Sequence, residues 1–137
     1  MNVDEAITSR KSVRRFLPTP VPRATVEHIL EVAARAPSGH NVQPWRVYAL
    51  AGEPLAKLGA AVLHAAKTDA GAHQPEYEYY PTKWVEPYIG RRRATGFGLY
   101  AALGIARDDA ARREAQMLRN YTFFDAPAGL MVTLDRR

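Results

Sequence analysis

The stretch Ala36-Pro37-Ser38-Gly39-His40-Asn41-Val42-Gln43-Pro44-Trp45-Arg46-Val47 separates helix-like sequence from strand-like sequence. Pro37 disfavours helical geometry at the residue before it, so the upstream helix has to stop here. Gly39 and Asn41 tolerate the left-handed backbone that a sharp reversal requires. The mostly apolar residues from Trp45 to Leu50 predict a buried strand. Ligands often bind at such a position in open α/β folds, but the stretch by itself is more simply an ordinary helix-to-strand connection.

A second segment, Arg10-Lys11-Ser12-Val13-Arg14-Arg15-Phe16, concentrates positive charge near the N-terminus. It directly follows a short helix predicted from Val3 to Ser9, with Asn2 or Asp4 as its cap. A guanidinium group offers a planar pair of donors that matches a phosphate, so Arg10 and Arg14 are candidate phosphate ligands. Considered alone, however, this segment is more simply a solvated basic corner.

Taken together, the two segments resemble the N-terminal part of the nitroreductase family of FMN-dependent oxidoreductases. That family carries an R-x-S-x-R-x-F-like segment after its first helix and an A-P-S-x-x-N-x-Q-P-W segment after its second. Here the first segment corresponds to Arg10, Ser12 and Arg14, and the second to residues 36–45. Either segment alone is weak, but the pair in this order and spacing is specific.

The resemblance implies an α+β fold with helices around a mainly antiparallel sheet, incomplete at the C-terminus. It covers essentially the whole chain, but only about the first two thirds of a typical family member. We therefore expect a single nitroreductase-like domain over residues 1–137 in a truncated or split form. The Pro- and Tyr-rich residues at about 69–93 are interpreted as a variable insertion, either a lid that shapes the substrate pocket or a surface excursion.

The resemblance assigns the chemistry to FMN, so no protein residue receives a catalytic role. It places the flavin at the subunit interface of a homodimer, where the first segment contacts the phosphate and ring edge and the loop reaches the partner's flavin. A later segment supplies one further ring-edge donor, at either of two adjacent positions. The implied cofactor-binding residues are Arg10, Lys11, Ser12, Arg14, Pro37, Ser38, Gly39, Asn41, Arg119 and Asn120.

The reaction implied by the resemblance passes electrons from NAD(P)H to a flat acceptor such as a nitroaromatic or a quinone. The exchange is ping-pong through flavin N5, in one shared pocket. An inactive remnant of a flavoprotein, truncated and no longer catalytic, is the main alternative.

Composition excludes several other classes of protein. The absence of cysteine excludes disulfides, zinc–thiolate sites and thiol nucleophiles. No His-Glu-x-x-His motif occurs, so no metal site is expected. The polar N-terminus is unlike a signal peptide and no apolar run approaches membrane-spanning length, which predicts a cytoplasmic protein without a membrane partner.

The net charge of +5 leaves a basic nucleic-acid-binding domain as a less favoured alternative. Its basic residues are scattered over segments of different type and form no recognised binding motif, so no nucleic-acid partner is expected. The run Arg91-Arg92-Arg93 is interpreted as a solvated charged face.

The second half of the chain predicts three further elements. Residues 96–105 are weakly helical, and Asp108 is expected to cap a helix that starts near Asp109. Leu130 to Leu134 predicts an inner strand, buried on both sides.

Overall fold

The structure is a computed structural model that describes residues 1–135. It contains five α-helices and two strands within that range, together with short 3₁₀ turns. In chain order these are α1 (Val3–Ser9), α2 (Arg23–Ala33), β1 (Trp45–Ala51), α3 (Gly52–Thr68), α4 (Tyr88–Ala102), α5 (Ala110–Leu118) and β2 (Ala128–Leu134), with 3₁₀ segments at Gly39–Asn41, Ala70–Ala72 and Arg119–Asp125. Among the described helices, none is both long enough and apolar enough to cross a membrane.

Side chains close the N-termini of α1 and α5. At α1 the Asn2 side chain accepts from the Glu5 backbone N–H at 2.8 Å, and the Glu5 carboxylate accepts from the Asn2 N–H at 2.9 Å. This reciprocal pair satisfies two donors that the first helical turn leaves free. At α5 the cap is Asp109, whose carboxylate accepts from the Arg112 N–H at 3.0 Å. The predicted cap at Asp108 was therefore wrong by one residue.

The helix α4 begins earlier than its sequence indicates. Its first residue, Tyr88, lies inside the segment interpreted as irregular, and Pro87 occupies the N-cap position. A proline is tolerated there because its missing N–H would have no intrahelical partner. Pro87 therefore marks where the irregular stretch ends, and the last residues of the predicted insertion are helical.

The strands β1 and β2 form a two-stranded antiparallel sheet. Trp45 pairs with Leu134 at one end of the ladder, and Ala51 pairs with Ala128 at the other. An antiparallel sheet accompanied by helices agrees with the predicted α+β architecture.

The prediction that both strands are buried was wrong. Val132 and Leu134 are each 64% exposed, and Tyr48 is 54% exposed. Paired residues share one face of a sheet, so Val47 and Val132 lie together on a face that is largely uncovered. An apolar pattern shows that burial of the strand would be favourable. Actual burial also requires other elements that pack on the strand, and a two-stranded sheet has few of them.

The tightest packing lies where β2 begins. Leu55 of α3 is only 7% exposed, and Gly129 of β2 is also buried. A Cβ atom added at Gly129 would lie 2.9 Å from Leu55 Cδ1 and 3.1 Å from Phe123 Cδ1. Glycine is therefore required here for the close approach of helix, turn and strand.

The chain exposes more surface than a folded protein of its mass usually does. The chain exposes 11800 Å², whereas a folded monomer of 15.2 kDa exposes roughly 7,100 Å² by the usual scaling with mass. The difference indicates that these helices and strands present surfaces that this chain alone does not bury.

Two units are distinguished within the chain. The first comprises residues 1–59 and the segment from Thr122 onward, and it contains α1, α2 and the sheet. The second comprises Ala60–Tyr121 and contains α4 and α5.

Candidate functional site

The basic segment of the first unit forms a small cluster around Ser12. Arg10 Nη1 donates to Ser12 Oγ at 3.4 Å, and Arg14 Nη1 donates to the Ser12 carbonyl oxygen at 3.2 Å. Both guanidinium groups are therefore hydrogen-bonded to Ser12, which lies in a stretch without regular secondary structure. The structure thus brings together three of the predicted site residues, and Lys11 lies exposed between them.

These two arginines carry no acidic partner among residues 1–135. Arg23 on α2 differs, because its Nε lies 2.7 Å from Glu27 Oε1. The hydrogen bond that Arg23 donates to the Glu27 carboxylate, together with the negative charge of that carboxylate, raises the pKa of Arg23. The guanidinium groups of Arg10 and Arg14 thus have donors available for an external anion.

Ser38 closes the loop between α2 and β1. Its Oγ accepts from the Gln43 N–H at 3.0 Å, and its carbonyl accepts from the Asn41 N–H at 2.9 Å. The hydroxyl proton of Ser38 is left to donate elsewhere, because a hydroxyl both donates and accepts. The loop is thereby held in one conformation by a residue that was predicted only as a cofactor contact.

The reversal in this loop uses residues other than the expected glycine. His40, Asn41 and Gln43 have φ values of 49°, 57° and 47°. The prediction for Asn41 was right, but Gly39 is not in the left-handed region. Left-handed backbone at a residue with a Cβ costs on the order of 1–3 kcal/mol and is often found at functional sites.

Gly39 instead leaves open space beside the loop. A Cβ added there would meet no atom within 4 Å, so neither backbone conformation nor internal packing requires glycine. Pro37, Gly39 and Asn41 are exposed and Ser38 is half-buried. The loop therefore presents backbone and short side chains to which another molecule can approach closely.

The two turns that flank the sheet lie at its opposite ends. The loop of Ser38 precedes β1 at Trp45, beside Leu134, whereas the turn containing Phe123 and Phe124 enters β2 at the other end. Seven residues of strand span about 20 Å. A single small ring bound at one end therefore does not reach the other end of the same sheet.

The last two predicted site residues belong to the second unit. Arg119 is half-buried, and Asn120 is exposed. The Asn120 side-chain amide donates to the Met117 carbonyl at 2.7 Å, which satisfies one of the free carbonyls that end α5. Asn120 is therefore held in place by the helix that it follows.

The sequence reading missed one feature of the second unit. Arg92 and Arg93, interpreted as a solvated face, line a cavity of about 490 Å³ together with Arg107 and Arg113. The spacing of residues in α4 is the one sequence feature that could have indicated this cavity, because Ile89, Arg93 and Gly96 lie on one face of the helix. Among residues 1–135, no group of three or more His, Asp or Glu side chains could hold a metal ion.

Residues 7–137 match the family model described as "Nitroreductase family". The chain is 46% identical to 4-nitrobenzoate reductase of Nocardioides sp. (strain LMS-CY), covering 97% of this chain and 55% of that protein. It is 40% identical to chloronitrobenzene nitroreductase of Comamonas testosteroni, covering 98% of this chain and 60% of that protein. The chain therefore belongs to the nitroreductase family.

Solved structures agree with this assignment. The FMN- and NADPH-dependent nitroreductase NfnB of Sphigopyxis sp. strain HMH superposes with a TM-score of 0.89 at 43% identity, covering 99% of this chain and 61% of that one. NfnB of Mycobacterium smegmatis, solved with NADPH, gives a TM-score of 0.83 at 31% identity, covering 96% of this chain and 58% of that one. The predicted family and fold class are confirmed. The chain spans between 55% and 61% of the length of these four relatives.

Proposed function

We propose that this chain belongs to an FMN-dependent oxidoreductase that passes electrons from NAD(P)H to a flat acceptor such as a nitroaromatic or a quinone. The observation that carries the proposal is the cluster of Arg10, Ser12 and Arg14, which has cationic donors and no acidic partner within the described residues. The relatives lend support, because two are named as reductases of 4-nitrobenzoate and of chloronitrobenzene, and two solved ones as FMN-dependent nitroreductases.

The donor set of the first segment fits the phosphate and ring edge of FMN. We assign these contacts to Arg10, Lys11, Ser12 and Arg14, since guanidinium groups bind phosphate oxygens in pairs. When bound, FMN would supply the redox chemistry, a ping-pong exchange of hydride between NAD(P)H and the acceptor at flavin N5. A fixed positive charge beside the ring edge would favour the negative charge that develops on reduction.

We further propose a homodimer with the flavin at the subunit interface. Pro37, Ser38, Gly39 and Asn41 would contact the flavin of the partner subunit, and Arg119 or Asn120 would donate to a ring edge. Two observations support this arrangement. The apolar face around Val132 is uncovered, and the turns that flank the sheet lie at opposite ends. A second copy would both cover apolar surface and bring complementary loops to one ligand.

The acceptor is proposed to be a small aromatic compound. Tyr79 and Tyr80 form an edge-to-face pair at 4.7 Å between ring centroids, and Trp84 lies 6.0 Å from Tyr80. These rings belong to the segment interpreted as a variable insertion at about 69–93, which would shape the acceptor pocket. Aromatic side chains suit flat ligands because ring faces stack without strict polar requirements.

A cytoplasmic location is part of this proposal, because NAD(P)H serves as the electron donor. Neither a membrane partner nor a nucleic-acid partner is proposed. An inactive flavoprotein remnant is the second candidate, and it differs in having no turnover with NAD(P)H. A basic nucleic-acid-binding domain is less favoured, because Arg92 and Arg107 stack on aromatic rings of their own chain.

A flavin titration followed by turnover separates these candidates. We expect the purified chain to bind FMN with a change in the flavin absorption spectrum, and to oxidise NAD(P)H only when a nitroaromatic or quinone is present. Binding of FMN without NAD(P)H oxidation would favour the remnant. Failure to bind FMN, together with salt-sensitive retention on DNA, would contradict the proposal.

A further inference from the structure

We propose that the cavity of the second unit binds a small aromatic carboxylate. The cavity has a volume of about 490 Å³, within the usual range for small-ligand pockets. Arginines from α4, from the turn after α4 and from α5 line it, together with aromatic and aliphatic side chains. This inference concerns binding alone and does not rest on the proposed function.

The charge of the cavity lining is entirely positive. Arg92, Arg93, Arg107 and Arg113 line it, and no aspartate or glutamate does. None of the four forms a salt bridge among the described residues, whereas Arg112, which lies outside the lining, is 3.9 Å from Asp109. Four cations around one concave space attract an anion and raise its local concentration.

Arg113 identifies the kind of anion. Its Nε is buried and has no hydrogen-bond partner. A fully buried Nε is out of reach of a bound ligand, but the terminal nitrogens of Arg113 pair with no acidic residue among residues 1–135 and can donate to an anion in the cavity. A carboxylate matches these donors, because its two oxygens accept two parallel bonds from the edge of a guanidinium group.

The walls of the cavity favour a flat, apolar body attached to that carboxylate. The guanidinium of Arg107 lies 4.2 Å from the centroid of the Phe97 ring, and that of Arg92 lies 4.8 Å from the Trp84 ring. Stacked guanidinium groups present planar and weakly hydrated surfaces. Tyr100 adds another ring to the lining, so an aromatic ring fits these surfaces better than a hydrated phosphate does.

Two glycines of α4 provide a matched pair for testing the cavity. Gly96 lines it, Gly98 does not, and an added Cβ at either position meets no atom within 4 Å. Alanine is the better helix former, so both substitutions are expected to favour the helix. Only Gly96→Ala places the new methyl group in the cavity.

Calorimetric titration of the purified chain with benzoate tests the proposal directly. Benzamide serves as the neutral isostere, and inorganic phosphate as the alternative anion. We expect benzoate to bind at least about tenfold more tightly than either, because only benzoate combines charge with a flat ring. Arg113→Lys keeps the charge but loses the paired donors, so it should weaken benzoate binding about tenfold. Arg91→Lys, on α4 and outside the lining, should change it less than about twofold.

Each result counts for or against the proposal. We expect Gly96→Ala, but not Gly98→Ala, to weaken benzoate binding severalfold, while both variants keep or raise the melting temperature. Benzoate binding no tighter than benzamide overturns the inference in the unaltered chain, whatever the variants do. Phosphate binding more tightly than benzoate overturns it in favour of a phosphate site. Absorption titration with FMN runs in parallel, so failure of flavin binding with benzoate binding retained counts only against the proposed function.

Discussion

The chain has two groups of arginines, and they differ in what surrounds the guanidinium groups. In the first unit, Arg10 and Arg14 are exposed and bonded to the oxygens of Ser12. In the second unit, Arg92 and Arg107 stack on aromatic rings. A guanidinium group in polar, solvated surroundings suits a phosphate, whereas one among rings suits a flat anion. The same residue type therefore has different binding chemistry in the two units.

The two groups also arise differently along the chain. Arg10, Ser12 and Arg14 lie within five residues, so local backbone geometry is enough to bring them together. The cavity arginines come from α4, the following turn and α5, so only packing within the second unit brings them together. This difference predicts which substitutions affect binding and which affect stability.

Removing either arginine of the first group should have the largest effect on binding. Arg10→Ala and Arg14→Ala should each raise the Kd for FMN about 10- to 100-fold, because a hydrogen bond to a charged group contributes about 1.5–3 kcal/mol. Fluorescence titration of FMN measures the change. Arg23→Ala is the control, since Arg23 is also exposed but is paired with Glu27. Similar small losses from all three variants would mean that the first group is only surface.

Substitution at the packing centre of the first unit, where Gly129 contacts Leu55 and Phe123, should lower the stability of the fold, whereas substitution of its arginines should not. Gly129→Ala should lower the free energy of unfolding by about 1–3 kcal/mol, because its methyl group overpacks against Leu55 and Phe123. Urea denaturation measures it, with Gly71→Ala as the control, since an added Cβ at Gly71 meets no atom within 4 Å. Equal stability of the two variants would show that the packing at β2 relaxes freely.

Stacking should make the second group contribute to stability. Arg107→Ala should lower the free energy of unfolding by about 0.5–1 kcal/mol through loss of the contact with Phe97. Thermal denaturation compares it with Arg10→Ala, which removes no ring contact and should leave stability unchanged. A larger loss of stability in Arg10→Ala than in Arg107→Ala would contradict the prediction that the second group of arginines contributes more to stability than the first.

The smallest expected effect on stability is at the loop before β1. Gly39→Ala should change the free energy of unfolding by less than about 0.5 kcal/mol, since its methyl group meets open space. If the loop contacts the flavin, the same variant should still weaken FMN binding severalfold. Unchanged FMN affinity in this variant would remove Gly39 from the proposed site.

Several features of this protein were predictable because they depend on neighbouring residues. The helix from Val3 to Ser9, the strand from Trp45 and the pairing of a basic segment with a Pro-Ser-Gly loop are all local patterns, and they were sufficient to indicate the family. The conformation of the loop was only partly predictable. Asn41 adopts the expected left-handed backbone, whereas His40 and Gln43 adopt it in place of Gly39.

The amino-acid sequence by itself indicated the family and most of the helices and strands, although not where α4 begins. Only the tertiary structure decided how exposed the strands are, that Gly129 must be glycine, and that four arginines share a cavity. The physical reason is the range of the interactions. Caps, turns and periodicity act over a few residues, whereas burial depends on which distant elements are present to cover a surface.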